Sequence, residues 1–558
     1  MSIKLRTYRF RLLGYITVAI IGMLLEVLPI QSLRNYRFRT LNRDLRLSNA
    51  VNTRSSRSRL SSRSWVLMDS FPVPHWGLIN SIAGRDLASA TDSELATFSF
   101  SARNFTEKSL YSSLGVENHL RIHYKFHTFL TGLAIYSRLT RRIISGAKVI
   151  DLQLGEVNIG LDVYESFLRR GHPTLDLMSR DLYRELWRGV KQYVYFKPLF
   201  TRHTITAVLV SHDNYVGSGL LSRMAYQFEV PVFLINPFEI NIVSRPFHLN
   251  ERFQRYREYF LAQTNEWKEV RVEQARDELT RRINGEIGVG KMNYQIKSAF
   301  THHTVKRQIN PTSNKKILIL SHDFFDNPHG ISRMLFDDFI DWLTFVSDCC
   351  RIENIDCYIK LHRDFSELEL GVVIKFQQDH PHVLIVDSET SYHQLYLEGI
   401  RFVTTCYGSA AHELPLLGFT VINSSYNPHI AFSFSHHAKS KDHYKKLLVE
   451  QPKIVIGRDL ENEIYMFYSV HSFLMWPDSF NFNSFEEFLS ESGADFFSKD
   501  CLQYLDNHFD EIVSNVSANL QAALATRRNF SVERFLDLEM QQHFSTQASS
   551  DSLFNRFV

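Results

Sequence analysis

The feature that most constrains the fold is an alternation of short apolar, β-branched runs with longer amphipathic stretches, which starts at Ser64 and occurs in two series. Such alternation is typical of βα units built around parallel sheets. A chain of 558 residues is also too long for one hydrophobic core. We therefore predict an α/β protein with two domains of this kind.

The first series predicts an N-terminal domain over residues 64–290. Its expected strands are residues 65–68, 149–152, 207–211 and 230–235, with helices around 177–194 and 219–228. A charged helical stretch from residue 250 to about 282 follows. Three glycines then punctuate the chain and mark the boundary of the domain: Gly285, Gly288 and Gly290.

The second series predicts a C-terminal domain over residues 315–458, after a linker at 291–314. Its expected strands are Lys316–Leu320, 355–361, Val383–Val386, Phe402–Thr405 and Thr420–Asn423. This pattern indicates a doubly wound sheet. Residues 459–558 are expected to form a helical C-terminal extension, with 500–527 as its clearest helix.

The N-terminal head, residues 1–63, carries thirteen Lys or Arg residues against two acidic ones, so that its net charge is +11. Residues 12–28 within it form a mainly apolar stretch whose only charged residue is Glu26. Because basic residues flank both sides, the positive-inside rule gives no orientation. We predict that this segment associates with the cytoplasmic face of the inner membrane through anionic lipids, as a peripheral helix or a single anchor.

Two other interpretations of the head stay open, a cleaved signal peptide and a buried helix followed by a solvated basic linker. The Arg- and Ser-rich run at residues 54–63 has no interleaved aromatic residues, so nucleic acid is not an expected partner.

Cysteine and acidic patterns argue against a metal site. The five cysteines include no CxxC pair, and we expect them to be reduced. His322, Asp323, Asp326 and His329 are close in sequence, but their spacing fits no standard ligand set, and no Asp-x-Asp motif occurs in the chain. We expect neither a metal nor a cofactor.

The most informative stretch, at residues 402–425, is FVTTCYGSAAHELPLLGFTVINSS, which reads as strand, tight loop, short helix, glycine stop and strand. Tyr407, Gly408 and Ser409 form the loop; Ser409 is placed to cap the helix and Gly418 to end it. Free amides at the start of a helix suit a diphosphate. Glu413 lies on the same helical face as Ser409 and is placed to accept hydrogen bonds from ribose hydroxyls.

Two further clusters of polar residues are candidates for phosphate binding and for catalysis. Lys360, His362 and Arg363 follow a strand and would face phosphates, unless they are only a polar strand end. In the first domain, His212 follows a strand and is a candidate general base, although a lone histidine there is more often structural. Asp162 and Glu165 are alternative bases.

Four segments carry a resemblance to a known family: VYESFLRRGHPTLDL, LVSHDNYVGSGLLSRMAYQFEVPVF, SHDFFDNPHGISRMLFDDFIDWL and VTTCYGSAAHELPLLGFTVINSSYNP. They lie between residues 163 and 428. At these segments the chain resembles the bacterial capsule and surface-carbohydrate biosynthesis glycosyltransferases of the GT-B fold. The departure is at residues 360–363, where such proteins usually have a proline before the histidine.

The resemblance implies two Rossmann-like domains facing across a cleft, with a nucleotide-sugar donor in the C-terminal domain and a glycan or lipid-linked glycan acceptor in the N-terminal one. His362, Gly408, Ser409 and Glu413 match donor-site positions. The expected function is metal-independent transfer of a sugar to a capsular or other surface polysaccharide. The alternatives are a teichoic-acid-type polyol-phosphate transferase, a nucleotide-sugar epimerase, and a non-catalytic polysaccharide assembly or export factor.

Overall fold

The computed structural model describes residues 64–69, 74–99, 111, 116, 118–121, 126–236, 240–246, 248–290, 297–301, 306–330, 333–362, 364–474 and 499–525. The described chain forms two compact units. The first contains residues 64–166, Leu177–Pro246 and the helix near the C-terminus; the second contains Phe167–Asp176 and Phe247–Trp476. The predicted membrane segment and Arg363 lie outside the described residues, and the predicted cleft between domains stays a prediction.

The described residues of the first unit form eight strands, and six of these make one sheet with the order β3-β2-β1-β6-β7-β8. All neighbours in that sheet are parallel except β7 and β8. The strands are β1 (Ser64–Asp69), β2 (Glu94–Ser99), β3 (Asn118–Arg121), β4 (Gln153–Leu154), β5 (Val157–Asn158), β6 (Thr204–Val210), β7 (Val232–Ile235) and β8 (Ile240–Val243).

The second unit contains a six-stranded parallel sheet with the order β12-β11-β9-β13-β14-β16. A short antiparallel pair, β10 with β15, lies apart from it. The strands are β9 (Lys316–Leu320), β10 (Arg333–Met334), β11 (Asp356–Lys360), β12 (Val383–Val386), β13 (Phe402–Thr405), β14 (Thr420–Asn423), β15 (Ser425–Tyr426) and β16 (His436–His437).

In both six-stranded sheets the spatial order is third, second, first, fourth, fifth and sixth strand along the chain. This order is that of a Rossmann-type doubly wound sheet. The prediction of two Rossmann-like α/β units is therefore confirmed.

The helices fill the connections. They are α1 (Pro74–Ala90), α2 (Phe126–Ile144), α3 (Gly160–Leu168), α4 (Arg180–Arg202), α5 (Leu220–Gln227), α6 (Tyr256–Leu261), α7 (Asn265–Ile283), α8 (Phe339–Ile352), α9 (Glu367–Asp379), α10 (Tyr392–Leu397), α11 (Ala410–Glu413), α12 (Lys441–Glu450), α13 (Arg458–Tyr468) and α14 (Lys499–Ala525). No helix in these described ranges is long and apolar enough to span a membrane.

The core of the first unit includes the helix α14. Phe509, Ile512, Val516 and Leu520 are buried in the same cluster as the apolar residues of α1 and of the sheet. Their spacing of three to four residues places them on one helical face. The predicted helix at 500–527 is thus confirmed, and it completes the first unit's core.

The second sheet is buried on both faces. Ile317 and Ile319 of β9 lie in one apolar cluster with Trp342, whereas Leu318 and Leu320 lie in another with Leu414. Successive side chains of a strand point to opposite faces. A strand that is covered on both faces has a continuous run of apolar residues, here KILIL. This run is why the sequence predicted β9 as a strand.

Two predicted elements need correction. Residues 149–152 are not a strand, because Val149–Asp151 is a 3-10 turn in which Val149 and Leu152, three residues apart, are buried together. The helical stretch from 250 to 282 is three pieces, a 3-10 segment and then α6 and α7, and Thr264 caps α7 by accepting from the Trp267 amide.

The boundary between the units lies earlier than residue 290, since α7 belongs to the second unit. Glu278 of α7 accepts a hydrogen bond from the Tyr468 hydroxyl of α13 at 2.8 Å, and Tyr468 lies beyond the predicted end of the C-terminal domain at residue 458. The strands β2, β3, β8 and β16 were not predicted.

Candidate functional site

The candidate site is a cavity of about 490 Å³ within the second unit, at the carboxyl ends of β9, β11 and β13. β9 and β13 are neighbours in the sheet, and the strand order reverses between them. In open α/β sheets, ligands bind outside the carboxyl ends of the strands at this switch point. The sheet topology therefore points to this cavity as the binding site.

A hydrogen-bonded network holds the loop after β13. The imidazole Nε2 of His322 accepts from the Cys406 amide at 3.1 Å and lies 3.0 Å from the Thr405 hydroxyl. The Gly408 amide donates to the same hydroxyl oxygen at 3.4 Å. A Cβ at Gly408 would meet that oxygen at 3.0 Å, so the glycine permits the close approach.

His322 is neutral, and its tautomer follows from these contacts. Because Nε2 accepts from an amide, the ring proton of the neutral form lies on Nδ1. Burial, with a smaller contribution from His362, lowers the pKa of His322 to about 3. The ring stacks on Phe339 with centroids 5.1 Å apart and lines the cavity. His322 was considered at the sequence level only as a metal ligand.

Lys360 ends β11 and is almost fully buried in the cavity wall. Its ammonium group donates to the carbonyl of Ser388 at 2.5 Å and lies 6.0 Å from the centre of the Tyr392 ring. A buried ammonium group stays charged only where neighbouring dipoles or an anion compensate it. The position suits a ligand phosphate.

His362 is an exposed neighbour of Lys360 in the same cavity lining. Its Nδ1 accepts from the amide of Asp364 at 3.2 Å, which leaves the proton of the neutral ring on Nε2. His362 therefore presents an N–H donor. Arg363, the third residue of the predicted basic cluster, lies outside the described residues.

Ser409 does not cap the helix with its side chain, contrary to the prediction. The residue has helical backbone angles, and its hydroxyl donates to Glu413 Oε2 at 3.3 Å instead. α11 is only four residues long and continues as a 3-10 turn at Leu414–Leu417. Gly418 ends this turn in the left-handed conformation (φ 88°), as predicted.

Glu413 forms a buried ion pair with Arg282 of α7, with N–O distances of 2.5 and 3.0 Å to Oε1. Both side chains are about 95% buried. Burial raises the pKa of Glu413, but Arg282, His412 and Ser409 outweigh it, so the pKa is lowered on balance. Glu413 is a fixed carboxylate in the cavity wall with lone pairs left for a ligand.

The charge of the lining is positive. Its two carboxylates, Glu286 and Glu413, are each paired with an arginine. Further cationic groups of the lining are Arg252, Lys297 and Lys360. An anionic ligand compensates such an excess of positive charge.

The predicted catalytic residues lie in the first unit. His212 follows β6, its Nδ1 is 3.3 Å from the Ser211 hydroxyl, and its ring contacts Tyr215. Tyr215 has a φ of 65°, which strains a non-glycine residue. Strained backbone at the carboxyl end of a strand is common at functional sites, so the structure leaves His212 as a half-exposed candidate.

Asp162 is engaged by Arg223 through two hydrogen bonds of 2.7 and 3.0 Å, and both side chains are buried. Asp213 and the buried Glu165 lie in the field of the same guanidinium. Burial is the largest cause that raises the pKa of Asp162 to about 6, and the charge of Asp213 adds to it, whereas Arg223 lowers the pKa and offsets only part of this rise. The arrangement is that of a structural cluster rather than of an accessible base.

Side chains of the acidic loop after β9 form contacts with other residues of the protein. Asp326 pairs with Arg169 at 3.1 Å, and His329 Nε2 lies 3.2 Å from the carbonyl of Asp337. Within the part of the chain that the structure describes, no group of three or more His, Cys, Asp or Glu side chains is placed to hold a metal ion. Metal independence stays a prediction.

Sequence reasoning missed Arg282, His412 and His429, all of which line the cavity. Arg282 was assigned to the other domain. His412 and His429 lie in or next to the quoted stretch, but nothing in their spacing indicated that their rings meet. Contacts 17 residues apart across a strand and two loops have no short-range signal.

No family model and no curated protein matches the sequence. Among solved structures, the beta Kdo 2,4 transferase KpsC of Thermosulfurimonas dismutans aligns at 13% identity over 50% of this chain and 86% of that chain, with a TM-score of 0.29. A glycosyltransferase from Rickettsia africae ESF-5 aligns at 8% identity over 88% of this chain and 100% of that chain, with a TM-score of 0.21. At such TM-scores these likenesses carry no argument about this chain.

Proposed function

We propose that this protein is a glycosyltransferase that moves a sugar from a nucleotide-sugar donor to a capsular or other surface polysaccharide. The observation that carries the proposal is the cationic cavity at the switch point of the second sheet. Such a cavity suits a nucleoside diphosphate, whose negative charge increases on the leaving group as the glycosidic bond breaks.

In the proposed donor site, the diphosphate lies against Lys360 and His362 and along the Tyr407–Gly408–Ser409 loop. The charge of Lys360 and the N–H donor of His362 stabilise the developing charge on the leaving diphosphate. Glu413 accepts from the ribose. Its ion pair with Arg282 and its bond from Ser409 hold the carboxylate before ligand arrives, which lowers the entropic cost of binding.

In the proposed acceptor site, the first unit holds the glycan and His212 removes the proton of the attacking hydroxyl. Of the three predicted bases, His212 is favoured because it is the one that is not buried. Asp162 then acts through its hydrogen bonds with Arg223, and Glu165 through its charge near the same guanidinium. A His212→Gln variant should lose sugar transfer but keep nucleotide binding.

The membrane surface is part of the proposal, through the basic head at residues 1–63. Deletion of that head should release the protein from vesicles that contain anionic lipid, because its charge of +11 is the main attraction to them. A truncated protein that still sediments with such vesicles would contradict the membrane assignment.

The first test is a calorimetric titration of the purified full chain with UDP, CDP, GDP, CMP and dTDP, with and without magnesium. We expect one nucleotide to bind, with an affinity that falls in Lys360→Met and Glu413→Gln variants. Lys375→Met, at an exposed lysine paired with Asp379 on α9, is the matched control and should bind normally.

Each outcome supports a different function for the protein. Binding of one diphosphate without magnesium, followed by release of that diphosphate when sugar is transferred, supports the proposal. Release of a monophosphate from a cytidine diphosphate donor would indicate polyol-phosphate transfer. Turnover without an acceptor would indicate an epimerase, and binding of no nucleotide would indicate an assembly factor.

A further inference from the structure

Two buried imidazoles in the cavity wall form a hydrogen-bonded relay. His412, on α11, has its Nδ1 3.0 Å from Nε2 of His429. His429 in turn has its Nδ1 3.1 Å from the side-chain oxygen of Asn427. The exposed fractions of the three side chains are 3%, 2% and 0%, so that water does not compete for these contacts.

The side chain of Asn427 determines which atom donates and which accepts in each hydrogen bond of the relay. The Asn427 side-chain nitrogen donates to the carbonyl of Ser425 at 2.7 Å, and its oxygen accepts from the amide of His429 at 2.9 Å. Since a carbonyl oxygen only accepts, these bonds set the orientation of the amide group. The asparagine oxygen must then accept from Nδ1–H of His429.

The remaining proton positions follow. A neutral His429 that is protonated on Nδ1 offers a lone pair on Nε2, so His412 must donate its own Nδ1–H to it. A neutral His412 therefore carries a lone pair on its Nε2. That atom is buried and has no hydrogen-bond partner among the described residues, and it belongs to a residue that lines the cavity.

A buried acceptor without a partner costs free energy, so such atoms call for an explanation. The Arg282 guanidinium disfavours a second proton on His412, and the Glu413 carboxylate favours it. Burial is the largest cause, and the pKa of His412 is lowered to about 4. The lone pair on Nε2 thus persists at neutral pH.

The cavity has two chemically different walls. His362 presents an N–H donor and Lys360 presents an ammonium group, both of which suit phosphate oxygens. His412 presents only an acceptor, which repels phosphate oxygens and suits a hydroxyl. The neighbouring Glu413 is a second acceptor, held by Arg282 and Ser409.

We propose that Nε2 of His412 accepts a hydrogen bond from one ribose hydroxyl of the bound nucleotide while Glu413 accepts from the other. His429 and Asn427 are positioning residues that keep His412 unprotonated on Nε2. This inference rests on the proposed function, because it requires a nucleotide in the cavity. It makes His412 a residue that selects ribonucleotides over deoxyribonucleotides.

The test compares the affinities of each ribonucleotide and its 2′-deoxy and 3′-deoxy forms by calorimetry, with UDP, CDP, GDP and CMP as the probes. The wild-type protein should bind the ribonucleotide about tenfold more tightly than each deoxy form, since a buried acceptor is otherwise left unpaired. In His412→Phe, one of the two preferences should disappear and the other should persist.

Further variants separate a specific role from a structural one. His412→Gln supplies an amide oxygen and should keep part of the lost preference, whereas Asn427→Leu removes the acceptor for His429 and should weaken that preference. His429→Phe should resemble His412→Phe. His437→Phe changes a partly buried histidine that does not line the cavity, and it should keep both preferences.

The inference is overturned if the wild-type protein binds either deoxy form as tightly as the ribonucleotide, a result that needs no variant. It is also overturned if His412→Phe folds, by circular dichroism, and retains both preferences. If no nucleotide binds at all, the proposed function fails and the inference fails with it, which distinguishes that case from the other two.

Discussion

The two units have the same strand order and each contains a buried arginine–carboxylate pair, yet the surroundings of the two pairs differ. In the first unit, Arg223 faces three carboxyl groups, and the pKa of Asp162 is raised. In the second, Arg282 holds one carboxylate next to neutral imidazoles whose pKa values are lowered.

The difference shows how one topology serves two tasks. Fixed imidazoles supply hydrogen-bond donors and acceptors at chosen places without adding charge, which suits a cavity that already has a positive excess for a phosphate. In the cluster of acids around Arg223, the guanidinium and the carboxyl groups interact with one another. They are therefore not placed to donate to or accept from a ligand. The second pair lines the candidate cavity, and the first is buried in a cluster of acids.

The largest expected effect separates these two roles. Arg223→Met and Arg282→Met should each reduce the free energy of unfolding by about 3–5 kcal/mol, because each leaves a buried carboxylate unpaired. Arg282→Met should also weaken nucleotide binding, whereas Arg223→Met should not. Urea unfolding and calorimetry measure the two quantities.

The matched control for this prediction removes both partners. In Arg282→Met/Glu413→Leu, much of the lost stability should return, since no unpaired charge is left. Nucleotide affinity should stay low. Recovery of affinity in the double variant would show that the Arg282–Glu413 pair has no part in binding.

The second prediction concerns pH and has opposite signs in the two units. The pKa of His412 is depressed from 6.5 to about 4, so its contribution is present above pH 6.5 and is lost as the pH falls through 4, an effect of about 3 kcal/mol at about 1.4 kcal/mol per pKa unit. The pKa of Asp162 is raised from 3.8 to about 6, so its contribution is present below pH 3.8 and is lost as the pH rises through 6.

Hydrogen exchange measured by mass spectrometry at pH 5 and pH 7.5, corrected for the intrinsic exchange rates, resolves the two units. From pH 7.5 to pH 5, protection should fall in peptides from α12 and β14 and rise in peptides from β6 and α5. A change of the same sign in both units would show that these buried groups do not dominate the pH dependence.

The third prediction tests the positive wall of the cavity. Lys360→Met should weaken binding of the preferred nucleoside diphosphate by about 1.5–3 kcal/mol, the range for a hydrogen bond to a charged group. The methionine keeps most of the apolar stem of Lys360, so folding should change little. An unchanged affinity in calorimetry would remove Lys360 from the phosphate site.

The smallest effect is expected at Ser409. Its hydroxyl orients Glu413 through a neutral-donor bond of 3.3 Å, so Ser409→Ala should cost about 0.5–1.5 kcal/mol of nucleotide affinity. Glu413→Gln should cost more, since it also disrupts the pair with Arg282. If Ser409→Ala costs as much as Glu413→Gln, the serine contacts the ligand directly.

The sequence predicted the sheet of the second unit well because its strands are buried on both faces and appear as continuous apolar runs, as in β9 and β14. It did not predict β2 and β3, since ELATFS and NHLR lack such runs and gain their pairing only from neighbouring strands. Residues 149–152 were wrongly predicted to be a strand, because a short apolar run does not distinguish a strand from a 3-10 turn.

For the candidate site, sequence placed Lys360, His362, Gly408 and Glu413 correctly in one cavity, since the carboxyl ends of parallel strands meet at one edge of a sheet. Their roles in binding stay predictions. The partner of Glu413 could not be predicted, because Arg282 is 131 residues away on a helix that had been assigned to the other domain.

The position of α14 has a consequence for the order in which the protein is made. The second unit is complete once residue 476 has been synthesised, whereas the first still lacks α14, which covers α1 and β8. Domains generally fold as units during synthesis, N-terminal first. Here the C-terminal unit is finished while the N-terminal one, begun earlier, keeps an uncovered apolar face until α14 has been synthesised.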